Sequence, residues 1–133
     1  KVAFLSHSTF GQPVTDRTKR ISDAVEILKK SNVDFKFDGE MQPDVALEEV
    51  YKELYPFSEI VGSSNVLIMP SQHSAAISYK MIKSMSRAKV IGPLLIGLGL
   101  PIEIAPLRSS TSEIINIASI AAYSADVIDY KKN

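Results

Sequence analysis

Hydroxyl groups crowd the first loop of the chain. Ser6, Ser8 and Thr9, with Gly11 behind them, follow the apolar run Val2–Leu5. Hydroxyls and backbone N–H groups above a helix N-terminus are the donors that hold phosphate oxygens. The same residues also make a polar turn that caps the next helix, and the residues alone leave both readings open. Asp38 and Glu40 stand at the end of a second apolar segment, as catalytic carboxylates or as acids that satisfy loop backbone. Ser71 and His73 follow Pro70 in a third loop. His7 and His73 have the chemistry of acid–base groups or metal ligands. Two histidines without ligand spacing and without cysteine define no metal site, so a hydrogen-bonded loop histidine is the expectation. Arg17, Lys19 and Arg20 could meet nucleotide phosphates, but they read as a solvated helix face.

These groups need a frame. Val66–Met69, stopped by Pro70, predicts a strand buried on both faces. Ile77, Met81 and Met85 then recur at four-residue spacing, with Tyr79 and Ile82 beside them, predicting a helix to about Ser86 packed back on a sheet. A second buried strand is expected over 90–97, completing a βαβ unit. Earlier in the chain, Val2–Leu5 reads as a strand, and Asp16 as the N-cap of a helix from about Arg17 to Ser31 with inner stripe Ile21, Val25 and Leu28. Val33–Phe37 alternates like a strand, closed by Asp38-Gly39-Glu40. Pro43 and Asp44 open a helix with inner face Leu47, Val50, Tyr51 and Leu54, ended by Pro56. Ile102–Ile104 predicts a short strand. Ser110 with Glu113 is a capping-box pattern for a final helix over about 110–123, apolar on most sides. Such a helix is buried by more than one sheet face. Lys131-Lys132-Asn133 is expected to fray.

Alternating strands and helices predict an α/β protein, a three-layer α/β/α sandwich on a mostly parallel sheet. Ligands bind at the carboxyl ends of such strands, which selects the loops 6–13, 38–44 and 70–74. The 133 residues suit one domain. Fifteen acidic residues balance 15 basic ones, so no global field draws the chain to nucleic acid or an anionic membrane. The absence of cysteine fits a reducing compartment, and the cytoplasm is the expected location. No apolar run has membrane-spanning length. A strand that begins beside Lys1 suggests a piece of a longer protein.

The sequence resembles a known family at these residues. Asn65–Pro70, Ile77, Tyr79-Lys80, Ile91–Leu98 and Pro101 resemble the C-terminal half of phosphate acetyltransferases. Leu5–Gly11 is similar to that family's Leu-Ser-x-Ser-Thr-x-Gly loop, and Asp38–Asp44 with Ala46 to its Asp-Gly-Glu-hydrophobic-Gln-x-Asp segment. The likeness covers roughly Val2 to Ala122. It implies the isocitrate/isopropylmalate dehydrogenase-like fold of these enzymes. It also implies that residues 1–133 are the C-terminal part of a phosphate acetyltransferase-like domain, the final helix packing on the other half or on a second subunit.

The family includes free acetyltransferases and a fused form, the regulatory C-terminal part of an NADP-dependent malic enzyme. Two departures favour the fused form. Aligning Glu113-Ile114-Ile115 with the family's Asp-Ile-Val puts Pro106 and Leu107 where active members carry Ser-Arg. A neutral hydrocarbon cannot replace a bidentate cation, and Arg108, one position later, compensates only if the backbone shifts. Ala76 also stands where the family prefers an amide. The resemblance thus implies no catalytic residues here, and a ligand site from Ser6, Ser8, Thr9, Gly11, Ser71, His73, Arg108 and Glu113. It implies acetyl-CoA or acetyl phosphate as effector, malic-enzyme domains as partners, and a homo-oligomer. NADP and a divalent metal, Mg or Mn, belong to the parent, with none in this fragment. An active phosphate acetyltransferase and a pure assembly module are the alternatives.

Overall fold

The computed structural model describes residues 1–130; the tail Lys131-Lys132-Asn133 lies outside the described residues. Two compact units divide the chain, Lys1–Met81 and Ile82 onward. In the first unit, β1 (Val2–Leu5) is the middle strand of a parallel sheet. β2 (Phe37–Met41) flanks it on one side and β3 (Val66–Ile68) on the other. The expected α/β class with a parallel sheet is what forms.

The first helix, α1 (Asp16–Lys29), begins one residue earlier than Asp16 as a cap would require. Thr15 is the N-cap: its side chain accepts from the Thr18 N–H, and the Thr18 hydroxyl accepts from the Thr15 N–H. Val25 is its buried inner residue, between half-buried Ile21 and Leu28.

β2 starts at Phe37, so the alternating segment from Val33 is not the strand. The polar residues Asp38-Gly39-Glu40, read as a closing turn, are the strand itself. The partner decides this: Val2 pairs with Phe37, Ala3 with Asp38 and Phe4 with Gly39. Gly39 permits the pairing, because a Cβ there would stand 2.7 Å from the Phe4 carbonyl oxygen. The register then slips, Leu5 pairing with Met41, and Glu40 is the extra residue of a bulge.

α2 (Pro43–Leu47) is shorter than the expected helix. Extended backbone at Glu48 breaks it, and a single 3-10 turn follows over Glu49–Lys52. Helical phase is lost at that break, so Leu47, Val50 and Leu54 are exposed where an inner face was expected, with Tyr51 half-buried. The inward residues are Val45 and Ala46. Ile60 and Val61 fill the core in their place, from a segment that reads as loop; Gly62 and Ser64 donate their N–H groups to the carbonyls of Val45 and Ala46. Ala3, Leu5, Met41, Val45, Ala46, Ile60 and Val61 form one apolar cluster.

β3 corrects another expectation. Val66, Leu67 and Ile68 are 45%, 37% and 41% exposed instead of buried on both faces, since β3 is an outer strand of the three. α3 (Gln72–Met85) forms as read, but Ile77, Tyr79, Met81, Ile82 and Met85 are exposed, not packed on a sheet. In the second unit, residues 87–110 form no strand, so neither the strand over 90–97 nor that over Ile102–Ile104 is present. The βαβ unit is therefore not completed. Gly92, Pro93, Gly97 and Pro101 interrupt this run every few residues, which works against a continuous ladder. α4 (Thr111–Tyr130) runs past the expected end, and Ile117 is its buried apolar residue. No described helix is long and apolar enough to cross a membrane.

Candidate functional site

The parallel pairing of β1 with β2 and β3 brings all three carboxyl ends to one edge of the sheet. The loops after Leu5, Met41 and Ile68 therefore open on the same side, where a parallel sheet offers a ligand site.

The first loop is tightly made. Ser6, Ser8 and Thr9 are buried, Ser8 completely. Phe10 and Gly11 both take positive φ, 47° and 86°. That turn directs the Gly11 N–H at Glu40 Oε1, 2.6 Å away, and Ser8 Oγ donates to the same oxygen at 3.0 Å. The Phe10 N–H donates to the Glu40 carbonyl at 2.8 Å. Ser8 Oγ also lies 3.3 Å from Ser6 Oγ, and Thr9 Oγ1 accepts from the Gln42 N–H at 3.1 Å. Phe10 packs its ring against Tyr55 and Phe57, centroids 5.3 and 4.8 Å away. Of the two acids, Glu40 satisfies loop donors, as one of the two readings held, and Asp38 accepts only locally, from the Gly39 N–H at 2.9 Å.

The third loop is a helix start. Ser71 and Ser74 cap reciprocally, each side chain accepting from the other's N–H at 3.3 Å. Ser71 and His73 are both exposed. His7 is exposed too, and neither ring is hydrogen-bonded among the described residues, so the expected hydrogen-bonded loop histidine does not form. No cluster of three or more His, Asp or Glu side chains that could hold a metal occurs among the described residues. Arg17, Lys19 and Arg20 are exposed along α1.

Arg108 and Glu113 belong to the second unit. Glu113 is the third residue of α4 and completes the capping box read from sequence: its Oε2 accepts from the Ser110 N–H at 2.7 Å and the Ser110 hydroxyl at 2.9 Å. Its other oxygen accepts from Lys83 Nζ at 3.0 Å. These bonds, the Ser110 N–H first and Lys83 next, lower the carboxyl from its ordinary 4.5 to about 2. Sequence reasoning missed Lys83, because 30 residues separate it from its partner and no local pattern links them. Leu107 is fully exposed, Arg108 is exposed, and neither lines the small pocket where Lys83, Ser109, Glu113 and Asn116 meet.

Comparison with known proteins adds four likenesses. The sequence profile of the phosphate acetyl/butaryl transferase family matches residues 1–122. An NADP-dependent malic enzyme of Rhizobium meliloti (strain 1021) is 48% identical over 125 residues, which cover 94% of this chain and 16% of that enzyme. The phosphate acetyltransferase of Clostridium acetobutylicum is 36% identical over 126 residues, 94% of this chain and 38% of that enzyme. The crystal structure of a phosphotransacetylase from Streptococcus pyogenes superposes with a TM-score of 0.86 at 33% identity, over 94% of this chain and 38% of that one. The chain thus spans 16% to 38% of the length of these relatives.

Proposed function

The chain belongs to the phosphate acetyl/butaryl transferase family, and from that membership we propose that it is the C-terminal, acetyl-CoA-sensing part of an NADP-dependent malic enzyme. The 48% identity to such an enzyme supports the parent. The observation that carries the sensing role is the state of Glu113. The resemblance puts it where the family carries an active-site aspartate, yet both its oxygens are engaged by Ser110 and Lys83. Where the resemblance puts the family's arginine stands Leu107, and the cation paired with Glu113 among the described residues is Lys83, not Arg108. Acyl transfer to phosphate needs a preorganised cation opposite the developing oxyanion. Without one, ligand recognition outlasts catalysis.

The parent reaction takes malate and NADP to pyruvate, CO2 and NADPH. Its metal and NADP are assigned to the remainder of the parent, since the likeness covers 16% of the Rhizobium meliloti malic enzyme. The effector site is assigned to the strand-end edge outside the Ser6–Gly11 loop, whose own donors are bonded internally, with Ser71 and His73 beside it. Effector binding then acts through a difference in affinity between two states of the whole enzyme.

A second reading, an active phosphate acetyltransferase, is favoured by one contact: Lys83 sets an ammonium 3.0 Å from Glu113, so a cation does stand beside that acid. The full-length protein separates the two. Malate-dependent NADPH formation is followed with and without acetyl-CoA, and acetyl transfer between CoA and phosphate is assayed in parallel. Sensing predicts saturable acetyl-CoA binding and a changed malate rate without transfer. Transfer faster than about 1 s⁻¹, the lower end of ordinary turnover, would replace the first reading by the second.

A further inference from the structure

Glu40 is a buried carboxylate, 1% exposed, that the regulatory reading leaves without a role. We propose that Glu40 is the resident anion of the Ser6–Gln12 loop: its Oε1 holds the donor pair of Ser8 Oγ and Gly11 N–H, and so excludes a ligand's phosphate or carboxylate from that loop.

The fold places it there by two steps. The β-bulge leaves Glu40 opposite no residue of β1, so its side chain is re-aimed out of the ladder. The loop then closes on it through successive positive-φ residues, Phe10 and Gly11, and backbone turns of this kind converge N–H groups on an anion. Three donors are spent on the one residue: Gly11 N–H at 2.6 Å and Ser8 Oγ at 3.0 Å on the carboxylate, Phe10 N–H at 2.8 Å on the carbonyl. No cation pairs with Glu40 among the described residues, where the ion pairs are Lys29–Glu26, Lys36–Glu59, Lys52–Glu49 and Lys83–Glu113. A second acceptor would find both donors already taken and the space beside them filled by the buried Glu40 carboxyl group. The sequence pattern that reads as a phosphate loop is thus already filled from within. The inference stands on this loop alone, whatever the parent chain does.

The test uses the full chain with inorganic phosphate and acetate as probes. In the wild type, the Ser8 and Gly11 amide resonances show no saturable shift with either anion. Glu40→Ala vacates the donors and lowers Tm; acetate or phosphate then raises Tm with the logarithm of concentration, as a site-bound ligand does, while chloride at equal ionic strength does not. Glu40→Gln refills the space with a neutral acceptor and gives no such response. A saturable Gly11 shift in the wild type overturns the proposal, as does a folded Glu40→Ala protein that answers acetate no differently from chloride. Should Glu40→Ala not fold, the wild-type titration decides.

Discussion

Glu113 shows what a single side chain can be asked to do in this chain. Three donors converge on it, and they hold its carboxyl near 2, below an ordinary 4.5. The sign follows from linkage: a depressed acid contributes stability that is fully present above its unfolded value and is lost as pH falls through its folded value. The contribution is therefore constant above about pH 5 and fades between the two values cited. Glu113→Gln removes that acid-window dependence and leaves the neutral-pH fold intact. An NMR titration of the Glu113 side-chain carbon checks it, with a midpoint above 4 the contrary result. Gly39 is governed by space instead. Its φ is +148°, and an added Cβ would meet the Phe4 carbonyl at 2.7 Å and the Phe4 Cβ at 2.8 Å. Gly39→Ala is expected to cost about 1–3 kcal/mol in backbone strain alone, with β1 and β2 pushed apart in addition. Gly99 has no atom within 4 Å of an added Cβ and no positive φ, so Gly99→Ala serves as a control, within about 0.5 kcal/mol of the wild type. Urea unfolding of both variants measures the contrast.

Elements that carry their own signal were legible from the chain. The capping box at Ser110–Glu113 was read correctly because both halves sit within four residues. β1 and α3 were found by their apolar pattern. Elements defined by a partner were not. β2 is Phe-Asp-Gly-Glu-Met, which no periodicity rule selects, and only the register with β1 makes it a strand. The α1 cap was misplaced by one residue because Thr15 and Asp16 are both good caps by type; reciprocal bonding with Thr18 settles it for Thr15. Of the candidate site, the hydroxyl loop was visible in the sequence, as was Glu40 as an acid that could satisfy loop backbone; its partners Ser8 and Gly11, and Lys83 as the partner of Glu113, were not, since contacts over 29–32 and 30 residues leave no local pattern. The cap yields a test at this scale. Thr15→Ala should destabilise by about 1 kcal/mol, Thr15→Ser by much less, and Asp16→Ala by only its first-turn charge term, about 0.3–1 kcal/mol. Equal losses for Thr15→Ala and Asp16→Ala would return the cap to Asp16.

Across the whole molecule, burial is distributed unevenly, and this has a measurable consequence. Seven apolar residues of the first unit form one closed cluster, whereas in the second unit Ile114 and Ile115 are 50% and 59% exposed and Ile117 alone is buried among the named core. A helix apolar on most sides is stable only where something covers it. Within the proposed malic-enzyme parent, we propose that the remainder of the enzyme or a second copy supplies that cover. Amide exchange reads burial directly, because local opening is easiest where few apolar contacts must break. In residues 1–133 expressed alone, β1, β2 and the inner turns of α1 should exchange slowest, with α4 faster by an order of magnitude or more. In the full-length protein α4 should become as protected as β1, and Ile115→Asp should reverse that gain while leaving β1 and β2 unchanged. Should α4 exchange equally fast in both forms, the apolar faces of this unit are left uncovered by the parent.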